Sequence, residues 1–124
     1  AVVGENVSAD YIEFLEDMQI SYVFAGLDGM DIGKAMESIC NEFGLWNISL
    51  QGDGFINGRF FQAGLVSELS VVVSPQLDGC QGAPSIIEYR GEETDWPQGL
   101  TLRLLDVERL GAGCVWLHYQ VRQS

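Results

Sequence analysis

Helix-forming and strand-forming segments alternate along the first 73 residues, and this alternation constrains the fold more than any other feature of the sequence. Apolar residues recur with a helical period over residues 8–18, 31–43 and 55–64. Runs rich in β-branched and aromatic residues lie at 20–24, 46–50 and 69–73. Because strands separated by helices need crossover connections, the pattern predicts a parallel sheet.

Capping residues support the three predicted helices. Ser8 and Asp31 precede the first two apolar patterns, and both residue types favour the N-cap position. Gly44 follows the second pattern and Gly64 the third, where glycine is typical of a helix C-terminus.

The C-terminal part of the chain has the period of a strand. Leu100, Leu102 and Leu104 alternate with polar residues, and residues 115–121 alternate in the same way beyond Gly111–Gly113. This pattern predicts an antiparallel hairpin. The sequence as a whole therefore predicts an α/β layer fold with six main strands and three helices, in a single domain of 124 residues.

Residues 75–99 fit neither pattern, because they are rich in glycine and proline and carry an acidic cluster. A connection of this length inside a compact domain is typical of a functional or mobile loop. An excursion with a short extra strand at 85–89 is an equally good interpretation.

The charge and the cysteines exclude several classes of protein. Eighteen acidic against six basic residues give a net charge of −12, which repels nucleic acid and anionic membranes. No apolar run approaches the roughly 20 residues of a membrane helix. The three cysteines lack disulfide or zinc spacing, so we expect no metal and a soluble, cytoplasmic protein.

The segment with the most specific signal is the glycine loop, residues 51–56. It consists of Gln51, Gly52, Asp53, Gly54, Phe55 and Ile56, between a predicted strand and a predicted helix. Backbone amides at such a helix start favour an anion. The spacing misses the dinucleotide fingerprint, because position 57 is Asn57 and not glycine. A plain glycine turn is an equally good interpretation on spacing alone.

Individual residues give little indication of a catalytic or metal-binding role. Asp53 can cap the third helix or, if an anion binds there, must turn away into solvent, and we favour the cap. His118 is the single histidine, and strand alternation places it on one face with Trp116 and Gln120, where it is best interpreted as an ordinary sheet residue. Cys40 lies on the apolar stripe of the second helix, which predicts a buried structural thiol.

Four blocks of sequence together carry a family resemblance. They are Ser21–Gly26, Gly52–Gly58, Ala63–Ser70 and Leu102–Leu110. In this order they closely resemble the C-terminal reductase domain of bacterial riboflavin-biosynthesis deaminase-reductases, which has a three-layer dihydrofolate-reductase-like fold. The resemblance spans essentially the whole chain.

The resemblance implies an NADPH-linked reductase whose glycine loop, residues 51–56, approaches the cofactor phosphates. Relatives usually carry Glu and a run of glycines in this loop. Gly52 and Gly54 match that pattern, whereas Gln51 and Asp53 do not. The catalytic residues cannot be carried over to this chain.

The resemblance also implies a fold truncated at its N-terminus. Family members normally begin with another region of similar size, whereas this chain opens near the family midpoint, at a strand resembling Ala1–Gly4. A cleavage product, one half of a split enzyme and a free-standing protein without catalysis all fit this pattern.

Two functions are consistent with the resemblance. One is NADPH-dependent reduction of a pyrimidine- or pterin-like small molecule, which needs the missing N-terminal half. The other is a non-catalytic domain that associates with itself. We expect a homo-oligomer, a dimer as in relatives, because truncation leaves apolar surface uncovered.

Overall fold

The structure is a computed structural model that describes residues 1–123. Over these residues the chain forms five β-strands, three α-helices and two single-turn 3₁₀ helices. The strands are β1 (Val2–Val3), β2 (Val23–Phe24), β3 (Glu68–Val73), β4 (Leu100–Arg109) and β5 (Val115–Gln123). The α-helices are α1 (Ala9–Asp17), α2 (Ile32–Phe43) and α3 (Gly54–Gln62).

The contacts divide the chain into two compact units, of which the first is Ala1–Leu50 and the second begins at Gln51. The prediction that the whole chain is a single domain stays a prediction.

In the first unit, α1 connects two parallel strands as the sequence predicts. Val2 and Val3 of β1 pair with Val23 and Phe24 of β2. Leu15 of α1 is almost fully buried, with 2% of its surface exposed. Such a connection between parallel strands is the crossover that the alternation of helix and strand indicated.

Both helices of the first unit have the predicted caps. The Ser8 hydroxyl accepts a hydrogen bond from the Tyr11 amide at 3.3 Å, and the Asp31 carboxylate accepts one from the Lys34 amide at 3.0 Å. Gly44 ends α2 in the left-handed conformation, with φ of 67°. The predictions for these two helices are confirmed.

The predicted strand at residues 46–50 is wrong. Residues 44–50 form no regular secondary structure, and Trp46 leaves 73% of its surface exposed. The segment has strand-forming residues, but a strand also needs a neighbour to receive its backbone hydrogen bonds. Residues 1–123 place no strand beside it.

In the second unit, the strands form an antiparallel sheet with the order β3-β5-β4. The expectation that residues 69–73 belong to a parallel sheet is therefore wrong. The alternation of helix and strand predicted the strand but could not predict its partner. That partner is β5, the last strand of the chain, whose Gln120 pairs with Glu68 and whose Val115 pairs with Val73.

The C-terminal hairpin is confirmed. Strands β4 and β5 pair along their whole length, with an irregularity between Leu104 and Asp106. The turn between them is closed by a hydrogen bond from the Leu110 amide to the Cys114 carbonyl at 2.9 Å. Within the turn, Ala112 has a φ of 58°, which is uncommon for a residue other than glycine.

The connection over residues 75–99 contains one 3₁₀ turn, Glu93–Asp95, and no strand at 85–89. The extra-strand interpretation is therefore wrong. Residues 85–88 instead run along the start of α3.

The antiparallel sheet has two chemically different faces, because successive residues of a strand point to opposite sides. One face carries mainly polar side chains, among them Glu68, Ser70, Asp106 and His118. The other, the apolar sheet face, carries ten apolar residues in its middle: Leu69, Val71, Val73, Leu102, Leu104, Val107, Val115, Leu117, Tyr119 and Val121; Leu100, Arg109 and Gln123 lie at its ends. Its edge on β4 is exposed, since Leu104 leaves 50% of its surface uncovered and Val107 leaves 54%.

The α/β class is confirmed, with parallel strands first and an antiparallel hairpin last, although residues 1–123 form five strands where the sequence predicted six. None of the helices in this part of the chain has the length and apolar character needed to cross a membrane.

Candidate functional site

The glycine loop leads directly into α3, and its central residue caps that helix. The Asp53 carboxylate accepts a hydrogen bond from the Ile56 amide at 2.8 Å. Of the two arrangements that the sequence allowed for Asp53, the structure shows the cap. The loop does not follow a strand as expected, because residues 46–50 form none.

The glycines around this loop allow another segment to approach the helix backbone closely. The Glu88 amide donates to the Gly54 carbonyl at 2.7 Å. The Asn57 side-chain amide donates to the Ile86 carbonyl at 2.9 Å and to the Gly52 carbonyl at 3.3 Å. Residues 85–88 are therefore held against the first turns of α3 by one backbone hydrogen bond and one from the Asn57 side chain.

Any side chain at two of these positions would collide with that segment. A Cβ atom on Gly54 would meet the Ser85 carbonyl oxygen, and one on Gly58 would meet the Glu88 carbonyl oxygen. The glycines at 54 and 58 thus serve a close approach of two backbones, which is the structural interpretation of the motif.

This arrangement does not fit a phosphate group at the start of α3. The Asp53 carboxylate already accepts the Ile56 amide, and the Ser85 carbonyl oxygen lies against the position that a Gly54 side chain would fill. Both oxygens carry negative charge or partial negative charge and repel an anion. The assignment of residues 51–56 to a cofactor stays a prediction.

A pocket lies beside the glycine loop, along one face of α3. It encloses about 250 Å³ and is lined by Phe55, Arg59, Gln62, Tyr89, Arg90 and Gly91. We call it the arginine pocket. The three helical residues follow one another at spacings of four and three, so they share one face of α3.

The loop wall of the arginine pocket is held by polar and aromatic contacts. Arg90 Nε donates to Glu88 Oε1 at 2.9 Å, and the Arg90 guanidinium lies 5.0 Å from the centre of the Phe55 ring. The hydrogen bond that Arg90 donates to Glu88 raises the pKa of Arg90 above its ordinary value, so this guanidinium stays charged.

Aromatic packing and a glycine complete this wall. The Tyr89 ring lies 5.4 Å from the Trp96 ring, centre to centre. A Cβ atom on Gly91 would collide with the Tyr89 hydroxyl, so the packing of Tyr89 needs glycine at this position. The Gln62 side-chain amide donates to the Asp95 carbonyl at 3.3 Å, which links the helix wall to the loop.

His118 lies on the polar face of the sheet with Trp116, as strand alternation predicted. Its Nε2 atom is 2.9 Å from Glu68 Oε2, and its ring stacks on Trp116 with centres 5.5 Å apart. Trp116 Nε1 donates in turn to the Ser70 hydroxyl at 2.6 Å. The partners Glu68 and Ser70 could not be predicted, because they depend on the register between β3 and β5.

None of the three cysteines lines the arginine pocket. Cys40 on α2 and Cys114 are partly buried, whereas Cys80 is exposed. Within the described residues, no group of three or more His, Cys, Asp or Glu side chains is arranged to hold a metal ion.

Comparison with known proteins assigns the fold. No family model matches the chain. Among solved structures, one form of RibD from Acinetobacter baumannii superposes with a TM-score of 0.68 at 20% identity, over 89% of this chain and 29% of that one. A second form gives a TM-score of 0.68 at 21% identity, over 90% of this chain and 29% of that one.

A pyrimidine reductase-like protein from Corynebacterium diphtheriae is also similar. It superposes with a TM-score of 0.67 at 18% identity, over 97% of this chain and 48% of that one. The chain therefore spans about a third to a half of the length of these proteins.

These similarities define the fold as that of an α/β reductase. More particularly, the chain has the fold of part of a RibD-like reductase domain, of the dihydrofolate-reductase-like type. The resemblance seen in the sequence is thus confirmed at the level of the fold.

Proposed function

We propose that the chain is part of an NADPH-dependent reductase that acts on a pyrimidine- or pterin-like small molecule, and that Asp53 weakens its hold on the cofactor. The observation that supports the reductase class is the superposition of 89–97% of the chain on RibD and a pyrimidine reductase-like protein. Because the chain spans less than half of each, the substrate pocket needs residues from another segment or another chain.

The cap at Asp53 supports the second part of this proposal. NADPH phosphates at the glycine loop need the Asp53 carboxylate to leave the Ile56 amide and turn away. A carboxylate that stays about 4 Å from a phosphate costs on the order of 1 kcal/mol even in water. The glycine loop therefore favours its own cap over an anion, and no hydride-transfer step is assigned to it.

NADPH titration of the full chain by fluorescence or calorimetry tests the proposal. Asp53→Asn keeps an oxygen that can cap α3 and removes the negative charge, so we expect NADPH to bind about fivefold more tightly than to the wild type. Asp53→Gly, which lacks the side chain altogether, should bind more tightly as well.

The matched control is Asp31→Asn, which makes the same change at the N-cap of α2 and should leave NADPH affinity unchanged. Tight wild-type binding that Asp53→Asn does not alter would place the cofactor phosphates away from the glycine loop. Absence of NADPH binding in all four proteins would contradict a cofactor role for the chain on its own.

A second candidate function is a non-catalytic domain that associates with a second copy, and the apolar sheet face favours it. The ten apolar residues of that face are uncharged, Arg109 lies on the same face at the end of β4, and the edge on β4 is exposed. In a chain of net charge −12, an interface without acidic side chains avoids adding close like-charge contacts to the repulsion between two copies. The apolar sheet face offers such a surface.

A further inference from the structure

We infer that the arginine pocket is a binding site for a small aromatic anion, a single planar ring that carries one phosphate or carboxylate group. This inference goes beyond the proposed reductase function, because it requires neither NADPH nor an anion at the glycine loop. It rests on the charge of the pocket, on the aromatic groups of its walls and on its size.

The charge of the arginine pocket differs from that of the chain as a whole. The sequence contains six Lys and Arg against 18 Asp and Glu, yet two of the six, Arg59 and Arg90, line this one pocket. Guanidinium groups recognise planar carboxylates and phosphates through paired N–H donors. The two guanidinium groups therefore offer an anion paired donors in one pocket, where the Glu88 and Asp53 carboxylates lie near Arg90.

The walls of the pocket suit a flat ring. Phe55 and Tyr89 contribute aromatic surface, and the Gln62 amide adds a polar group. The contacts of Arg90 with Phe55 and of Tyr89 with Trp96 hold these walls in place. A volume of about 250 Å³ accommodates one substituted ring and is slightly below the usual range for drug-sized ligands.

Glu88 competes with such a ligand for Arg90. Its carboxylate occupies the Arg90 guanidinium at 2.9 Å, and Asp53 adds negative charge near the same group. The anionic group of the ligand therefore exchanges with Glu88 for Arg90 while Arg59 provides the second positive charge. Removing the charge of Glu88 should strengthen binding, whereas removing either arginine should weaken it.

An NMR titration of the ¹⁵N-labelled full chain with phenyl phosphate tests this inference. We expect saturable shifts of the backbone amides of Phe55, Arg59 and Gly91 that weaken as NaCl is raised. Benzoate should cause the same shifts, whereas benzamide, which lacks the charge, and inorganic phosphate, which lacks the ring, should bind at least about tenfold more weakly.

Variants make the test specific. Arg59→Gln and Arg90→Gln should each lower the affinity for phenyl phosphate at least about tenfold, since each removes a charge-assisted hydrogen bond. Arg103→Gln makes the same change in charge on β4, outside the pocket, and should not alter the affinity. Glu88→Gln should raise the affinity, which a variant that merely unfolds cannot do.

Three outcomes would overturn the inference. The first is no saturable shift at these amides with phenyl phosphate or benzoate. The second is equal loss of binding in Arg59→Gln, Arg90→Gln and Arg103→Gln, which would indicate a response to net charge alone. The third is weaker binding to Glu88→Gln than to the wild type.

Discussion

The first turn of α3 finds its hydrogen-bond acceptor within the chain, because the Asp53 carboxylate takes the Ile56 amide. An N-cap of this type contributes about 1 kcal/mol to stability. A phosphate that takes the place of the carboxylate at this amide removes the stabilisation by the cap. The phosphate is also repelled by the negative charge of Asp53. Both effects disfavour the binding of a phosphate. The glycine loop therefore resembles a cofactor site in sequence, whereas Asp53 makes it unfavourable for an anion.

A second residue-scale effect concerns the exposed thiol of Cys80. A hydrogen bond with the Asp78 carboxylate favours the protonated thiol and raises the pKa of Cys80 above its ordinary value. Since the thiolate is the nucleophile, Asp78 should slow alkylation of Cys80 at mildly alkaline pH.

We therefore predict that Asp78→Asn lowers the pKa of Cys80 and raises its rate of reaction with iodoacetamide at pH 8. Mass spectrometry of peptides after timed labelling measures the rate, and the partly buried Cys114 in the same sample is the internal control. An unchanged or slower rate at Cys80 in the variant would contradict the role of Asp78.

At the scale of elements, the contact between α3 and residues 85–88 fixes the position of the long connection over residues 75–99. The hydrogen bond from Glu88 to Gly54 at 2.7 Å and that from Asn57 to Ile86 at 2.9 Å join the segment to the helix. This contact needs the bare backbone of Gly58, against which the Glu88 carbonyl lies. It also positions Tyr89 and Arg90 beside the helix face that carries Arg59.

We predict that Gly58→Ala destabilises the chain by about 1–3 kcal/mol in urea unfolding, because the added methyl group forces the Glu88 carbonyl away. Helix propensity alone would predict the opposite sign, since alanine is favoured over glycine inside a helix by about 1 kcal/mol.

The control is Gly33→Ala in α2, where the nearest atom to an added Cβ is the Asp31 carboxylate oxygen at 3.5 Å. This variant should be as stable as the wild type or more so. A Gly58→Ala variant that gained stability to the same extent would show that residues 85–88 do not press against α3.

At the scale of the whole molecule, the chain leaves strand-forming and apolar surface uncovered over its described residues. Residues 44–50 have no strand beside them, and the apolar sheet face is open along β4. Edges and faces of this kind are usually paired or covered in stable proteins. The similar solved structures are two to three times longer than this chain.

We predict that the full chain forms a dimer through the apolar sheet face. Light scattering at micromolar concentration should give about twice the chain mass of 13.7 kDa. Leu104→Asp places a charge on the exposed β4 part of that face and should shift the mass to that of a monomer.

The control for this prediction is Thr101→Asp, which adds the same charge on the opposite face of β4 and should leave the dimer intact. A monomer mass for the wild type would contradict the prediction. A dimer that persists in Leu104→Asp would move the interface to another surface.

The helices and the hairpin could be predicted from the sequence because their signals are local. The caps at Ser8, Asp31 and Asp53 and the glycine stop at Gly44 act within a few residues of the chain, and they lie where the periodicity placed them. The C-terminal hairpin was equally predictable, since its two strands are joined by a short turn.

Tertiary structure decided everything that depends on distant partners. The direction of β3 follows from its pairing with β5, and residues 46–50 form no strand because none lies beside them. The glycines at 54 and 58 serve a contact with residues about 30 positions away, and the same contact assembles the arginine pocket. Composition and period describe what a segment prefers, whereas hydrogen-bond partners and pockets depend on which distant segment packs against it.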